Sequence, residues 1–209
     1  MTLQNINTII FDLGNVLIDW DPNRLYKKIF KEDSEREYFL ENICTGDWNV
    51  QQDAGRTLKE ATETLVAQHP KYEEEIRAFY GRWPEMIGGP IHGTVEILNQ
   101  LKSEGKVRLY ALTNWSAETF PYALKNFDFL QLFEGILVSG DEKLIKPDIR
   151  IYQLMTERYN ITPTKAFFID DSLANIQSAR DFGIHGHHFT TPEKLRKDLV
   201  ERGLLAIRK

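Results

Sequence analysis

Short apolar runs separated by helical patterns are the feature that most constrains how this chain can fold. Runs of strand length, each near turn residues, lie at Thr8–Phe11, Val107–Leu112, Gly135–Val138, Ala166–Ile169 and His185–Phe189. Helical periodicity fills several of the gaps, as in Thr94–Ser103, where Gly105 follows as a stop. Asp148 is placed to cap another helix, and a third ends at Gly183. Strands that alternate with helices predict a parallel sheet covered on both faces.

The segment from about Pro22 to Pro84 has a different pattern. It contains no convincing strand, and its helical stretches lie at Asn23–Phe30, Ser34–Asn42 and Leu58–Gln68. The glycines and proline at 88–90 then predict a hinge before the alternating pattern resumes. We therefore expect an α/β fold: a Rossmann-like doubly wound parallel sheet from residues 1–18 and 88–209, with residues 19–87 inserted as an α-helical cap domain. An insertion that follows the end of a strand is placed to act as a lid.

Charge and composition exclude several classes of partner. The chain of 209 residues has a formal net charge of -5, which gives no broad attraction for nucleic acid or an anionic membrane. The only cysteine, Cys44, excludes an internal disulfide and fits a reducing compartment. The polar N-terminus lacks a secretory signal, and no apolar run approaches the ~20 residues that span a bilayer. We expect a cytoplasmic monomer.

Polar residues that can do chemistry follow the predicted strands. Asp12 comes after the first strand and Thr113 after the second, while Asp170 and Asp171 follow the fourth. Lys146 lies in the segment after the third. Because the carboxyl ends of parallel strands border one crevice, we expect these side chains to meet there.

Three carboxylates in one crevice repel one another and raise one another's pKa. A hard divalent cation removes this conflict, and Mg²⁺ prefers one or two carboxylates together with waters and substrate phosphate. The hydroxyl and the ammonium then suit the oxygens of a phosphoryl group. The set is what phosphoryl transfer needs: a nucleophile, a metal ion and donors to the equatorial oxygens.

Four motifs in this order resemble those of the haloacid dehalogenase superfamily. They are Phe11-Asp12-Leu13-Gly14-Asn15-Val16, Leu112-Thr113-Asn114, Ile145-Lys146-Pro147-Asp148 and Phe168-Ile169-Asp170-Asp171-Ser172. The helical insertion matches the position of the cap in the helical-cap subfamily. Within it, the sequence is similar to sugar-phosphate phosphatases of the glucose-1-phosphate type. The resemblance implies a Mg²⁺-dependent phosphatase that hydrolyses a small phosphomonoester and uses a phosphorylated metabolite as its partner.

The resemblance also implies a role for each matching residue. Asp12 would attack phosphorus and form an aspartyl-phosphate, and Lys146 would neutralise charge on Asp12 and the phosphate. Thr113 and the amide of Asn114 would bind the phosphoryl oxygens. The Mg²⁺ ligands would be Asp12, the carbonyl of Gly14 and Asp171, with Asp170 holding a metal-bound water. Trp115 is the best candidate for a substrate contact, and Asn175 matches a position that often carries a carboxylate in relatives.

Gly14 departs from the family pattern. Most phosphatases of the family have an aspartate two residues after the nucleophile, where it acts as general acid and base. Glycine cannot transfer a proton, and losing such a group lowers a rate by about two to four powers of ten. A good leaving group, a water or another side chain could compensate, and Asp19 and Asp21 are close in sequence.

Two other functions stay open at this point. A 2-haloacid dehalogenase uses the same aspartate through an ester intermediate without metal, but such enzymes generally lack an acidic pair like Asp170-Asp171. A catalytically weak phosphate-binding protein is the second alternative, which Gly14 allows.

Other polar and aromatic residues have structural interpretations. We expect His185, His187 and His188 to be structural and Arg56 to be solvated. Trp48 and Trp83 could line a substrate pocket or pack in a core.

Overall fold

The computed structural model describes residues 6–207. Residues 1–5 and 208–209, which the sequence assigns to the core, lie outside the described residues. Strands β1 to β7 comprise Thr8–Phe11, Ile18–Trp20, Ile87–Pro90, Arg108–Thr113, Gly135–Val138, Ala166–Asp170 and His185–His188. Helices α1 to α5 comprise Asn23–Ile29, Asp33–Asn42, Gly46–Asp53, Leu58–Gln68 and Glu73–Gly81. Helices α6 to α11 comprise His92–Glu104, Phe120–Asn126, Ser139–Glu142, Ile149–Arg158, Leu173–Phe182 and Pro192–Glu201.

Five strands form one parallel sheet in the order β5-β4-β1-β6-β7. The central strand β1 pairs with β4 on one side and β6 on the other, so that Phe11 lies opposite both Ala111 and Ile169. This register brings the carboxyl ends of the three strands level with one another. The predicted α/β architecture with a doubly wound parallel sheet is confirmed.

Alternation of side chains along the buried strands produces two hydrophobic layers. On β1, Ile9 and Phe11 belong to one cluster of buried residues, while Ile10 belongs to the other. The same alternation separates Phe167 from Phe168 on β6. Since successive residues of a strand point to opposite faces, each cluster covers one face of the sheet. A sheet buried on both faces explains why its strands are nearly continuous apolar runs.

Helices α1 to α5 lie between β2 and β3, and we call residues 21–86 the helical insertion. Its aromatic side chains pack together, with ring centroids 4.8 Å apart for Tyr26 and Phe39 and 6.2 Å for Tyr26 and Phe79. These residues belong to the same buried cluster as Phe11 of the sheet. The apolar interior therefore continues from one face of the sheet into the insertion.

Several predicted helix boundaries are confirmed. Gly105 and Gly183 end α6 and α10 in the left-handed conformation, with φ of +61° and +102°. The side chain of Asp148 caps α9 by accepting from the N–H of Arg150. The expected hinge at 88–90 is instead part of strand β3, in which Gly89 pairs antiparallel with Asp19 of β2. No helix among the described residues is both long and apolar enough to cross a lipid bilayer.

Candidate active site

Lys146 lies at the centre of a buried group of charges at the carboxyl end of the sheet. Its ammonium is 2.9 Å from Asp12 Oδ1 and 2.7 Å from Asp170 Oδ2, and it also donates to the carbonyl of Leu112 at 3.1 Å. Its side chain is 1% exposed. The three donors of the ammonium thus each have an acceptor, so the charge is held in one place.

Asp12 is held in position by the chain around it. It directly follows β1, and its N–H donates to the carbonyl of Ile169 at 2.8 Å, which extends the ladder between β1 and β6. Its Oδ1 accepts from the N–H of Leu13 at 2.7 Å. The carboxylate is therefore oriented before any ligand arrives, as a nucleophile in an in-line reaction requires.

The two aspartates after β6 have different surroundings. Asp170 is fully buried, and its carboxylate accepts from the N–H of Ser172 at 2.8 Å and from Nδ2 of Asn175 at 3.0 Å, in addition to Lys146. Asp171 is exposed. Oxygens of Asp12, Asp170 and Asp171 lie within 4.8 Å of one another. Asn175, whose role the sequence left open, is thus a hydrogen-bond partner of Asp170.

The pKa values of the charged groups in this cluster are shifted by burial and by the charges around them. Burial raises the pKa of Asp12 to about 7, which Lys146 opposes and Asp170 and Asp171 reinforce. Partial desolvation of its carboxyl group also raises the pKa of Asp171, although the residue is exposed as a whole, and the charge of Asp170 adds to the shift. The neighbouring carboxylates raise the pKa of Lys146 although its burial opposes this. Three carboxylates around one ammonium carry a net charge of −2 when all are ionised, which one divalent cation cancels.

Thr113, the last residue of β4, has an unsatisfied hydroxyl. Its side chain is fully buried, and its Oγ1 lacks a hydrogen-bond partner among the described residues. A buried polar atom without a partner is unfavourable unless a ligand supplies one. This hydroxyl, the ammonium of Lys146 and the carboxylate cluster together fit a phosphoryl group with a divalent metal.

Asn114 fixes the backbone of the lysine loop. Its Nδ2 donates to the carbonyl of Lys146 at 3.0 Å, and its Oδ1 accepts from the Lys146 N–H at 2.9 Å. The side-chain amide is therefore already paired, so its backbone N–H is the group left for a ligand.

A cavity of about 150 Å³ lies between this site and the helical insertion. Four aromatic residues contribute to its wall: Trp20, Tyr80, Trp83 and Trp115. The rings of Trp83 and Trp115 are 5.6 Å apart, so that one residue of the insertion and one of the sheet domain meet here. Trp48 does not line the cavity; its ring packs against Phe79 at 5.1 Å.

Two residues that the sequence interpretation did not single out connect the insertion to the site. Ser139, at the start of α8, donates to the carbonyl of Asp53 at 2.6 Å and accepts from the N–H of Trp115 at 3.0 Å. Asp53, the last residue of α3, lines the cavity. Local sequence carries no signal for either contact, because they join segments 86 and 24 positions apart.

Among the other residues considered from the sequence, His188 touches the carboxylate cluster, through the main-chain carbonyl of Asp171. His185, His187 and His188 bond to three separate acceptors, the carbonyl of Thr164, the carboxylate of Asp198 and the carbonyl of Asp171. The three rings do not share a partner, and their structural role stays a prediction. Arg56 is not fully solvated as expected, because it donates to Gln52 at 2.8 Å and to the carbonyl of Trp48 at 3.1 Å.

Cys44 is buried within the insertion. Burial raises the pKa of its thiol, which suits packing and not nucleophilic chemistry.

Two phosphatases are similar to this chain over most of both sequences. The chain is 27% identical over 182 residues to a sesquiterpene phosphatase of Aspergillus oryzae, covering 87% of this chain and 88% of that protein. It is 28% identical over 187 residues to a phosphorylated carbohydrates phosphatase of Thermotoga maritima, covering 86% and 82%. It also matches a drimenol cyclase of Aspergillus calidoustus at 23% identity, where it spans 38% of that longer protein.

A solved structure has the same fold. The enzyme of the haloacid dehalogenase family from Bacteroides thetaiotaomicron, crystallised with magnesium and inorganic phosphate, superposes with a TM-score of 0.68 at 28% identity. The match covers 89% of this chain and 95% of that one. A sequence model of haloacid dehalogenase-like hydrolases matches residues 6–183. The protein is therefore a member of the haloacid dehalogenase-like hydrolase family.

Proposed function

We propose that the protein is a Mg²⁺-dependent phosphatase that hydrolyses a small phosphomonoester through an aspartyl-phosphate on Asp12. The observation that carries this proposal is the cluster of Asp12, Asp170 and Asp171 around Lys146, next to the unsatisfied hydroxyl of Thr113. The phosphatase relatives and the magnesium and phosphate complex of the Bacteroides enzyme support it.

Each residue of the site has a separate role in the proposed phosphoryl transfer. Asp12 attacks phosphorus, and the ammonium of Lys146 neutralises charge on Asp12 and the phosphoryl group. The hydroxyl of Thr113 and the backbone N–H of Asn114 bind the phosphoryl oxygens. Water then attacks phosphorus of the aspartyl-phosphate and releases inorganic phosphate. Asp12 and Lys146 are already in contact at 2.9 Å, so little reorganisation is needed.

Mg²⁺ would be held by Asp12, Asp171 and the carbonyl of Gly14, with Asp170 acting through a water. The hydrogen bonds of Asp170 favour this division, since Lys146, Ser172 and Asn175 already use its oxygens, whereas Asp171 is exposed. When bound, Mg²⁺ neutralises the charge that the carboxylates and the phosphate bring together.

We propose that residues 19–87 form a cap over the core made by residues 1–18 and 88–209. The cavity wall supports this, since Trp83 of the insertion meets Trp115 of the core within it. Aromatic faces suit the apolar faces of sugars as well as hydrocarbon leaving groups. Sugar phosphates are accordingly the first substrate class to test, and Trp115 is the proposed substrate contact.

The proposal is tested by phosphate release from a panel of sugar phosphates and p-nitrophenyl phosphate, with Mg²⁺ or with chelator. We expect turnover that requires Mg²⁺ and falls at least about 10³-fold in Asp12→Asn, because the nucleophile is lost. Asp181→Asn serves as the matched control, since Asp181 is exposed on α10.

Phosphate release that persists in Asp12→Asn would contradict the proposal. Absence of release from every phosphate, combined with metal-independent halide release from 2-chloropropionate, would identify a dehalogenase instead. Tight Mg²⁺-dependent phosphate binding without turnover would identify a phosphate-binding protein.

A further inference from the structure

The active site lacks a proton donor at the position where the family resemblance places one. Gly14 has no side chain, yet a Cβ added there would meet nothing within 4 Å. Neither packing nor backbone conformation therefore requires glycine at this position. The proton that a poor leaving group needs must come from elsewhere in the protein or from water.

The cavity above the site offers one acidic side chain for this purpose. It is bordered by Gly14 and Asn114 from the sheet domain and by Asn49 and Asp53 from α3. Of the described residues that line it, Asp53 alone carries a carboxyl group. In an in-line displacement the leaving group departs on the side opposite the nucleophile, so a proton donor has to lie across the phosphoryl group from Asp12.

Contacts of both the main-chain carbonyl and the side-chain carboxyl of Asp53 hold this residue in place. Its carbonyl accepts from the Ser139 hydroxyl at 2.6 Å, and the backbone N–H of Ser116 is close enough to its carboxyl group to lower the pKa of that group. Ser139 and Ser116 are both buried parts of the sheet domain. Asp53 therefore reaches from the helical insertion to the wall of the core, and its position does not depend on the insertion alone.

The protonation state of Asp53 suits a proton donor. Burial raises the pKa of this carboxyl to about 7, although the Ser116 N–H and the charge of Lys146 both lower it. General acids work best when their pKa lies near the operating pH. An ordinary exposed aspartate would already have lost its proton there.

The other side chains that could donate a proton near the cavity already bond to other residues. The Tyr80 hydroxyl donates to Asn49 Oδ1 at 3.0 Å, and burial raises its pKa. Asp19, which the sequence offered as a substitute, forms an ion pair with Arg24. Asp21 accepts from the N–H of Asn23 at 2.9 Å, and neither Asp19 nor Asp21 lines the cavity.

We propose that Asp53 is the general acid and base of the phosphatase reaction, an inference that rests on the function proposed above. As the Asp12 oxygen bonds to phosphorus, the bond from phosphorus to the leaving oxygen breaks and that oxygen takes the proton of Asp53. The Asp53 carboxylate then takes a proton from the water that attacks the aspartyl-phosphate. This step releases phosphate and restores the Asp12 carboxylate, and Asp53 has regained its proton.

The test compares leaving groups in Asp53→Asn. The substrates are p-nitrophenyl phosphate, whose leaving group departs as a stable anion, and benzyl phosphate, whose alcohol needs a proton. We expect kcat to fall at least about 100-fold on benzyl phosphate and less than about 10-fold on p-nitrophenyl phosphate, because general acid catalysis contributes about 10²–10⁴-fold where it is needed. Asp47→Asn is the matched control, since Asp47 is exposed in the first turn of the same helix.

A second variant moves the carboxyl group to position 14, where most phosphatases of the family carry an aspartate. Gly14 has room for a side chain, so Gly14→Asp combined with Asp53→Asn is expected to regain at least about 10-fold on benzyl phosphate over Asp53→Asn. A thermal melt of each variant checks that it is folded.

Equal losses on the two substrates, or no loss on either, would overturn the role of Asp53 in proton transfer. Failure of the function itself has a different signature, since wild-type protein would then release no phosphate even from p-nitrophenyl phosphate.

Discussion

Lys146 determines the charge balance of the site at the scale of single residues. It is 2% exposed and contacts Asp12 and Asp170 at 2.9 and 2.7 Å. A buried ion pair adds little net stability when complete, but removing one partner leaves a buried charge uncompensated. The lysine therefore links the stability of the protein to the position of the Asp12 carboxylate.

Replacing this lysine should destabilise the fold. We expect Lys146→Met to lower the free energy of unfolding by about 3–5 kcal/mol, because Asp170 then keeps a buried charge without its partner. Adding Asp170→Asn should restore part of the loss. Urea denaturation of the single and double variants measures both effects, and a double variant less stable than Lys146→Met would contradict this account.

Asp53 should give the stability of the protein a distinct pH dependence. Its pKa is raised to about 7 in the folded protein, against about 3.9 in an unfolded chain. Its contribution to stability is complete below about pH 4 and is lost as the pH rises through about 7, because the folded state then has to give up a proton it holds tightly.

The variant Asp53→Asn has no such proton to lose. We therefore expect its Tm, relative to wild type, to be higher at about pH 8 than at about pH 5. Thermal melts at the two pH values measure the difference. A Tm difference that does not change with pH would show that the carboxyl is not protonated in the folded protein.

Asp12, the proposed nucleophile, was predictable from the sequence together with Thr113 and Asp170, because each lies at the end of an apolar strand. Asp12, Thr113 and Asp170 meet since β1, β4 and β6 are neighbours in register. Asp53 and Ser139 were not predictable, because only the docking of the insertion brings them to the site. A short polar stretch carries no information about such contacts.

At the scale of elements, the turn after α3 determines where Asp53 lies. Gly55 has φ of +98°, and a Cβ there would lie 2.8 Å from Lys143 Cγ and 3.4 Å from the Gly140 carbonyl oxygen. Both the backbone conformation and the close approach to the loop around α8 therefore require glycine.

A side chain at this turn should move α3 away from the core. We expect Gly55→Ala to lower the free energy of unfolding by about 1–2 kcal/mol and to raise KM, because the left-handed conformation is unfavourable for alanine. Gly81→Ala is the control: Gly81 ends α5 without a positive φ, and a Cβ there meets nothing within 4 Å. That change should stabilise by about 0.4–1 kcal/mol. Equal effects of the two changes would contradict the account.

Helices and strands with a clear apolar pattern were predictable from the sequence, whereas those with few apolar residues were not. The five strands of the main sheet lie within one or two residues of the predicted bounds, and α4 has the predicted bounds, Leu58–Gln68. Helix α3 was not predicted, since Trp48 and Val50 are its only apolar residues. Strand β3, with the sequence Ile-Gly-Gly-Pro, has weak strand propensity and forms through pairing with β2.

At the scale of the whole molecule, the carboxylate cluster should couple metal binding to folding. A ligand that binds only the folded state stabilises it by about 2.7 kcal/mol at a hundredfold excess over Kd. For a chain of this size we expect saturating Mg²⁺ to raise Tm by about 5–10 °C. Asp171→Asn should abolish most of the shift, whereas Asp181→Asn should keep it. A shift of equal size in Asp171→Asn would exclude Asp171 as a metal ligand.

The buried apolar cluster runs from the sheet into the helical insertion, and this continuity limits how the two parts can move apart. Buried residues of both parts belong to it, and the Ser139–Asp53 hydrogen bond crosses the same boundary. Opening of the cavity therefore has to break the Ser139–Asp53 hydrogen bond and to separate apolar side chains of the two parts.

The central claim is that Asp12 carries the phosphoryl group during turnover. The most direct measurement is to quench the protein with acid during turnover of p-nitrophenyl phosphate and to locate phosphate on its peptides by mass spectrometry. We predict a base-labile phosphoryl group on Asp12 that forms only with Mg²⁺ and is absent in Asp12→Asn. Steady phosphate release by a protein whose Asp12 never becomes phosphorylated would contradict the account.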